Sequence, residues 1–377
     1  MLQAAKEFRI GRPQILAGLM LLGFLAQCLW VAGSRALSDL EIRYITSGET
    51  HELGQVYRAN SPLTGWIAAL PGHVLAAMRT IAPASVSNAL AIPRPWLIRM
   101  PFVIFGVWLG AALWWVSRRL FDDAGGYVAL ALYCSSPAMV MISSNIGPEI
   151  ILAWSIFGLV YTAIGVAHTL YAPSHKWAPR TLILGLSIGF ALSTARWSFT
   201  LVLVALAFMF YLAPGRRRFV LIVSLGASLV AACVMGYFAW WKGPSAASAH
   251  SWVHPQITRE LASNLWFVLA DDYVVTGFFI AALVAYGTWR RARYFGNTAP
   301  LLTGFAAVLF FTMAPAVQIW KPTLGLSFVF VFIGGVAADL LETPSWKAIT
   351  AILTAGIAVR VVLAFRTLGH WIHQNTV

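Results

Sequence analysis

Eleven apolar runs, separated by polar segments, divide this chain of 377 residues. Most of them are about 20 residues long, which is the length that an α-helix needs to cross the hydrocarbon core of a bilayer. Hydrophobic residues make up 59% of the chain and charged residues 10%, so the class of soluble globular proteins is excluded. The sequence predicts an all-α, polytopic membrane helix bundle with about eleven transmembrane helices, at residues 14–33, 97–117, 124–142, 149–170, 181–195, 197–213, 218–239, 273–289, 299–316, 323–341 and 347–365.

Basic residues predict which helix ends face the cytoplasm. Lys6, Arg9 and Arg12 precede the first run, which we interpret as a retained helix rather than a cleaved signal sequence. Every second connection along the chain is also basic, with clusters at 118–119, 176–180, 216–218, 290–293 and 347. The net charge of +13 therefore reflects topology and not nucleic-acid binding. We expect an integral protein of the bacterial cytoplasmic membrane, with its N-terminus in the cytoplasm and its C-terminus outside.

A single transmembrane domain is expected over residues 1–377, because no soluble domain, internal repeat or low-complexity segment interrupts the runs. Two predicted outer loops are long enough to contribute to a site, at residues 34–96 and 240–272. The three cysteines all lie within apolar runs, so neither a structural disulfide nor a metal cluster is predicted for them.

The first predicted outer loop combines several types of side chain that can act on or bind a ligand. Its residues 39–70, "DLEIRYITSGETHELGQVYRANSPLTGWIAAL", combine carboxylates, arginines and aromatic side chains directly after the first helix. Farther on, "GWIAALPGHVLAAMRTI" places apolar side chains at helical spacing on one face, namely Trp66, Ile67, Leu70, Val74, Leu75 and Met78. This pattern predicts amphipathic helical structure that lies on the membrane surface.

Two blocks of the sequence resemble a known family. In the first block, Glu41, Arg43 and Tyr44 form the pattern "ExRY". A proline-containing segment follows, formed by Ser61, Pro62, Leu63 and Trp66. The second block, residues 98–159, contains "RMP", "RRLF", "SP" and "PE" in that order across three apolar runs. Over about residues 36–215 the chain thus resembles the GT-C membrane glycosyltransferases, specifically the protein mannosyltransferase and lipid A aminoarabinose transferase superfamily. The resemblance implies a GT-C-like bundle that transfers a sugar from a polyprenyl-phosphate donor to an acceptor on the outer face.

Three carboxylates are the predicted catalytic residues. Such a transfer needs a general base for the acceptor and cations that neutralise the leaving phosphate. Asp39 is the predicted base, and Glu41 either supports it or joins it in binding a divalent metal ion, Mg or Mn. Glu149, after Pro148 at the start of the fourth run, matches the acid of the family's "PD" motif, which implies contact with the acceptor or the metal. Without the resemblance, all three are ordinary acids at helix ends, which the helix dipole favours at an N-terminus.

Further polar and aromatic side chains are predicted at the outer surface. Asn60 stands where relatives often carry a lysine. Arg58, Arg196 and Lys321 lie at predicted outer helix ends or loops, where a cation is suited to bind a phosphate, a lipid head group or a nearby acid. The predicted substrate-binding residues are Arg43, Tyr44, Arg58, Asn60, Trp66, Arg196 and Lys321.

Charged residues near or within the later runs have a structural interpretation. Arg360 in the last run is expected either to snorkel or to pair within the bundle. Asp271 and Asp272 precede a run and are interpreted as helix-start acids.

Three classes of function remain open from the sequence. The first is a glycosyltransferase, with a polyprenyl-phosphate sugar, membrane lipids and an unidentified acceptor protein, lipid or glycan as partners. The alternative is a catalytically inactive GT-C-like accessory subunit of a larger membrane complex, because Leu40 separates Asp39 from Glu41 whereas the family's acids adjoin. A transporter or flippase is disfavoured, since few ionisable residues fall in the middle of the runs.

Overall fold

The computed structural model describes residues 12–49, 62–81, 94–171, 177–195, 198–242, 272–288, 302–308 and 321–374. Every regular element within these ranges is helical, and none of them contains a β-strand. The predicted all-α fold is therefore confirmed.

Twelve helices have bounds within the described ranges, and we number them in chain order. They are α1 Arg12–Ser34, α2 Asp39–Glu49, α3 Pro62–Ile81, α4 Pro95–Cys134, α5 Pro137–Ser143, α6 Pro148–Thr169, α7 Trp177–Thr194, α8 Phe199–Leu212, α9 Arg217–Lys242, α10 Tyr273–Thr288, α11 Leu326–Leu341 and α12 Trp346–Gln374. Short 3₁₀ turns lie at Pro214–Arg216 and Lys321–Gly325, and residues 302–308 are also helical.

Six helices of the described ranges are long and apolar enough to cross a membrane, when α4 is counted as one. The chain is an integral membrane protein. The predicted number of about eleven transmembrane helices is not confirmed.

Helix α4 is a helical hairpin rather than one continuous rod. Its backbone leaves the helical region at Phe121 and at Asp122, where φ is 66° and ψ is −177°. The Tyr133 hydroxyl donates a hydrogen bond of 2.7 Å to the carbonyl of Gly106, so the arm after Asp122 packs antiparallel to the arm before Phe121. This reversal lies between the predicted runs 97–117 and 124–142, as the sequence pattern requires.

The second predicted run of this hairpin is interrupted. The arm ends at Cys134, and α5 starts at Pro137 after Ser136, whose hydroxyl accepts a hydrogen bond of 3.4 Å from the backbone N–H of Met139. A serine N-cap followed by proline at the first helical position is a strong start signal, so a new helix begins here. The run 124–142 is thus two helices and not one.

An ion pair inside the bundle joins three helices at this break. Arg360 of α12 is 2% exposed, and its Nε donates to Asp272 Oδ2 at 2.6 Å. Its Nη1 donates to the carbonyl of Leu132 and to Ser135 Oγ, which satisfies acceptors at the end of the α4 hairpin. Asp272 Oδ1 accepts from the backbone N–H of Val275 at 3.1 Å and so caps α10. The predicted pairing of Arg360 and the helix-start role of Asp272 are both confirmed.

Two structural features, the contacts of Arg99 and the reversal at Phe121, mark the two ends of the bundle. At one end, called the site end, the C-terminus of α1 meets α2 and the start of α4 through hydrogen bonds from Arg99. The opposite end holds the reversal at Phe121, 22 residues farther along the first arm of α4 and hence about 33 Å away.

Helix α3 packs directly on α2. A Cβ added to Gly48 of α2 would lie 2.1 Å from the carbonyl oxygen of Gly65 in α3, so only glycine permits this close approach. On the apolar face predicted for α3, Ile67 is buried against protein whereas Val74 and Met78 are more than half exposed. The location of this helix on the membrane surface stays a prediction.

Arg360→Gln should destabilise the protein by about 3–5 kcal/mol, because it leaves Asp272 and a helix-end carbonyl without their cation inside the bundle. The measurement is thermal or denaturant unfolding of the purified protein in detergent. Arg366→Gln is the matched control, since Arg366 lies on the same helix and is exposed. Equal stability of the two variants would contradict a structural role for the pair.

Candidate functional site

The site end is organised by a buried ion pair between Glu41 of α2 and Arg99 of α4. Arg99 Nε donates to Glu41 Oε1 at 2.8 Å, and Nη2 donates to Oε2 at 2.7 Å. The two side chains are 0% and 3% exposed. This two-point geometry is the strongest form of arginine–carboxylate pairing.

The remaining N–H groups of Arg99 bind the end of α1. Nη1 donates to the carbonyls of Ala32 and Arg35 at 2.7 and 2.9 Å, and Nη2 donates to that of Ala36 at 2.8 Å. A guanidinium has five N–H donors, and all five are used here. Arg99 therefore caps the C-terminus of α1, where a positive charge is favoured by the helix dipole.

Local sequence holds Glu41 in position. Ser38 and Glu41 form a reciprocal capping box at the start of α2, in which the Ser38 backbone N–H donates to Glu41 Oε2 at 2.9 Å. The Glu41 backbone N–H in turn donates to Ser38 Oγ at 3.3 Å. From the segment before α6, the N–H of Ile146 donates to Glu41 Oε1 at 3.1 Å.

These contacts make Glu41 a structural anion. Burial raises the pKa of Glu41, but the hydrogen bonds and charge of Arg99, with the N–H groups of Ser38 and Ile146, together hold that pKa below its usual value. Both oxygens accept at least two hydrogen bonds, so a metal ion would have to displace Arg99. Within the described ranges no three His, Cys, Asp or Glu side chains are grouped to hold a metal ion. The geometry does not fit the divalent metal predicted for Asp39 and Glu41, and the catalytic role of Glu41 stays an untested prediction.

Asp39 has the opposite environment. It is the first residue of α2, two positions before Glu41, and its side chain is exposed. Its carboxylate makes no hydrogen bond or ion pair to the part of the chain that the structure describes. Arg43, four residues later, is also exposed and shares its face of the helix. The exposed face of α2 thus offers one accessible carboxylate and one accessible guanidinium.

The segment that carries Glu149 is brought to the same end. Ile146 bonds to Glu41, and Asn145 Oδ1 accepts from Arg35 Nη1 at 2.6 Å. Glu149 lies half-buried in the first turn of α6. An added Cβ at Gly147 would be 2.2 Å from Glu149 Oε2, so this glycine makes room for the carboxylate. Two acidic segments about 100 residues apart in sequence therefore converge.

The other predicted binding residues lie on α2, on α3, before α11 or outside the described residues. Tyr44 is buried at 4% exposure. Trp66 is half-buried on α3, with its ring 6.0 Å from that of Phe238 of α9. Lys321 begins the 3₁₀ turn before α11. Arg58, Asn60 and Arg196 lie outside the described residues. The binding roles of all these residues remain predictions.

Sequence reasoning missed three residues of this site, Arg35, Arg99 and Asn145. The spacing "SDLE" was a readable signal for the capping box at Ser38. Arg99 stood in the "RMP" motif that carried the resemblance, but no local pattern names its partner 58 residues away.

Part of the chain is similar in sequence to one known protein family. Residues 84–241 match the sequence profile of the family described as dolichyl-phosphate-mannose-protein mannosyltransferase. No curated protein sequence matches this chain.

Solved structures show the same fold. ArnT from Cupriavidus metallidurans in the apo state superposes with a TM-score of 0.55 at 13% identity, and its complex with undecaprenyl phosphate with a TM-score of 0.61 at 14% identity. Each match covers 88% of this chain and 61% of the ArnT chain. The present chain therefore spans less than two thirds of the length of ArnT. The GT-C fold and the resemblance expected from the sequence are confirmed.

Glu41→Gln should lower stability by about 3–5 kcal/mol, because Arg99 would be left buried without its anion. Asp39→Asn, the matched variant two residues away, should unfold like the wild type, since its side chain is exposed. Unfolding in detergent at neutral pH measures both. A Glu41→Gln variant as stable as Asp39→Asn would refute the structural role.

The stability difference between the wild type and Glu41→Gln should depend on pH. A carboxylate with a depressed pKa stabilises the fold fully above its unfolded pKa of about 4.3, and this contribution is lost as the pH falls through the lower folded value. The stability difference between wild type and Glu41→Gln should be constant above about pH 5 and shrink at more acidic pH.

Proposed function

We propose that this chain transfers a sugar from a polyprenyl-phosphate donor to an acceptor at the outer face of a membrane. The observation that carries the proposal is the site end itself. There, the Glu41–Arg99 pair fixes two acidic segments together and leaves Asp39 accessible. The fold shared with ArnT, which has been crystallised with undecaprenyl phosphate, supports a donor of this class.

In the proposed reaction, an acceptor hydroxyl attacks the anomeric carbon of the donor sugar. The bond from that carbon to the phosphate oxygen breaks, the polyprenyl phosphate leaves, and Asp39 takes the hydroxyl proton. Asp39 is suited to this role because α2 is held rigidly by Glu41, and a general base depends on positioning. Arg43 on the same face neutralises developing negative charge, and Glu149 binds the acceptor. No step in this scheme uses a metal ion.

One observation favours a second candidate function. Because Glu41 is fully engaged by Arg99, only one carboxylate of the predicted acidic pair on α2 is available for chemistry. This matches an inactive GT-C-like accessory subunit of a membrane complex, which would keep the architecture and lose turnover.

Activity distinguishes the two functions. Purified protein is given an undecaprenyl-phosphate-linked sugar and a cell extract as the source of the acceptor. It should release undecaprenyl phosphate, which is measured by mass spectrometry. Asp39→Asn should lower the rate by about 100-fold or more, because the base is lost while the side-chain size is kept. Glu342→Gln is the control, since that exposed carboxylate follows α11 near the Phe121 end of the bundle.

If the Asp39→Asn variant turns over as fast as the wild type, Asp39 has no part in the mechanism. Persistent lack of turnover on every donor tested, together with stable co-purification of other membrane proteins, would favour the accessory subunit.

The proposed orientation places the site end outside the bacterial cytoplasmic membrane, with the N-terminus inside. In a background lacking the native cysteines, Asp39→Cys should react with a membrane-impermeant thiol reagent added to intact cells. Gly215→Cys, exposed in the 3₁₀ turn before α9, should react only after permeabilisation. Labelling of position 215 alone in intact cells would reverse the topology.

A further inference from the structure

Arg35 is a buried cation that the proposed chemistry has not used. It follows α1 directly and is 7% exposed. Its guanidinium carbon lies 3.9 Å from the centre of the Trp371 ring, and Nη1 donates to Asn145. The side chain is therefore held in one orientation by stacking and by one hydrogen bond.

One edge of this guanidinium lacks partners. Arg35 Nε is buried and has no hydrogen-bond partner, and Nη2 makes no bond to a residue within the described ranges. In Arg99, the same Nε and Nη2 edge holds both oxygens of Glu41. Arg35 thus leaves unpaired the two-point donor edge that its neighbour uses to bind a carboxylate.

The buried Arg35 lacks an ion-pair partner among the described residues. Ion pairs within the described ranges join Arg99 to Glu41, Arg118 to Asp123 and Arg360 to Asp272, so Arg35 has no carboxylate of its own among them. Burial and the charge of Arg99 lower the pKa of Arg35 to about 10, although the charge of Glu41 acts in the opposite direction. The side chain remains positive at neutral pH. An anion beside it would offset the free-energy cost of burying this charge and the repulsion from Arg99.

We propose that Arg35 is an anion-binding residue whose Nε and Nη2 edge binds the phosphate group of a lipid at the site end. Phosphate oxygens match this edge in geometry and charge. The neighbouring Ala36, Ser38 and Asp39 are exposed, so Arg35 lies just beneath the accessible surface next to the proposed base. Where the proposed function holds, on which this detail rests, the bound group is the donor phosphate, and Arg35 neutralises it as it leaves.

Binding to the purified protein in dodecyl maltoside, a detergent without phosphate, tests the assignment. Undecaprenyl phosphate, phosphatidylglycerol and inorganic phosphate are titrated separately, with dissociation constants measured by native mass spectrometry for the lipids and by thermal shift for the ion. Arg35→Gln should weaken undecaprenyl phosphate binding at least 10-fold. Arg366→Gln removes one charge from the exposed face of α12 and should bind like the wild type.

Arg35→Gln should fold, because it removes a buried charge that lacks an ion-pair partner, and its unliganded melting temperature should equal or exceed that of the wild type. Arg35→Lys keeps the charge without the two-point edge and should show an intermediate loss of affinity. If Arg35→Gln does not fold, Arg35→Lys decides the question alone.

The three ligands separate the sources of the phosphate. Arg35-dependent binding of undecaprenyl phosphate in preference to phosphatidylglycerol supports the donor phosphate as the ligand. Equal Arg35-dependent binding of both lipids supports a general site for phosphate head groups. Arg35 dependence for inorganic phosphate alone contradicts a lipid ligand. Affinity for all three within twofold of wild type in Arg35→Gln, or an equal loss in Arg366→Gln, overturns the proposal. Loss of binding is measured without turnover, so this result is independent of whether the transferase activity exists.

Discussion

The ion pair between Arg99 and Glu41 is the interaction on which the site end depends. It joins the C-terminus of α1, the start of α2, the start of α4 and the segment before α6 through one guanidinium and one carboxylate. Removing two charges from water costs several kcal/mol per ion, and pairing offsets that cost only when the remaining donors and acceptors are also satisfied. Arg99 meets this condition with all five N–H groups, and Glu41 meets it with the capping box at Ser38 and the N–H of Ile146.

The charged residues of the site end differ in how fully they are paired within the protein. Glu41 and Arg99 neutralise each other, and all five N–H groups of Arg99 and both oxygens of Glu41 already have partners within the protein. Asp39, on the same helix turn, is exposed, and its carboxylate has no partner among the described residues. Arg35 is neither fully paired like Arg99 nor exposed like Asp39. It is fixed by Trp371 and Asn145 but retains an unpartnered donor edge. In the proposed function, the Glu41–Arg99 pair positions Asp39 without touching the reacting atoms.

Much of the fold could be predicted because apolar length is a direct physical requirement of the bilayer. The runs 14–33 and 149–170 agree with α1 and α6 to within two residues at each end. The break at Ser136 is not visible in hydropathy, which does not separate one long helix from two short ones. The local signal for it is the serine followed by proline in "SSP". The contacts of the candidate site differ in how far sequence can predict them. The capping spacing of Ser38 and Glu41 is local and was readable, whereas the pairing with Arg99 depends on tertiary contacts across 58 residues and was not.

A cryo-electron microscopy structure of the protein bound to undecaprenyl phosphate would show where the phosphate lies. We expect the phosphate group at the site end, within hydrogen-bond distance of Arg35 and close to Asp39, with the Arg99–Glu41 pair unchanged from its separation of 2.7 Å. Phosphate bound at the Phe121 end of the bundle would contradict this expectation. So would a Glu41 carboxylate turned away from Arg99 toward the ligand, since the residue described as scaffold would then belong to the chemistry.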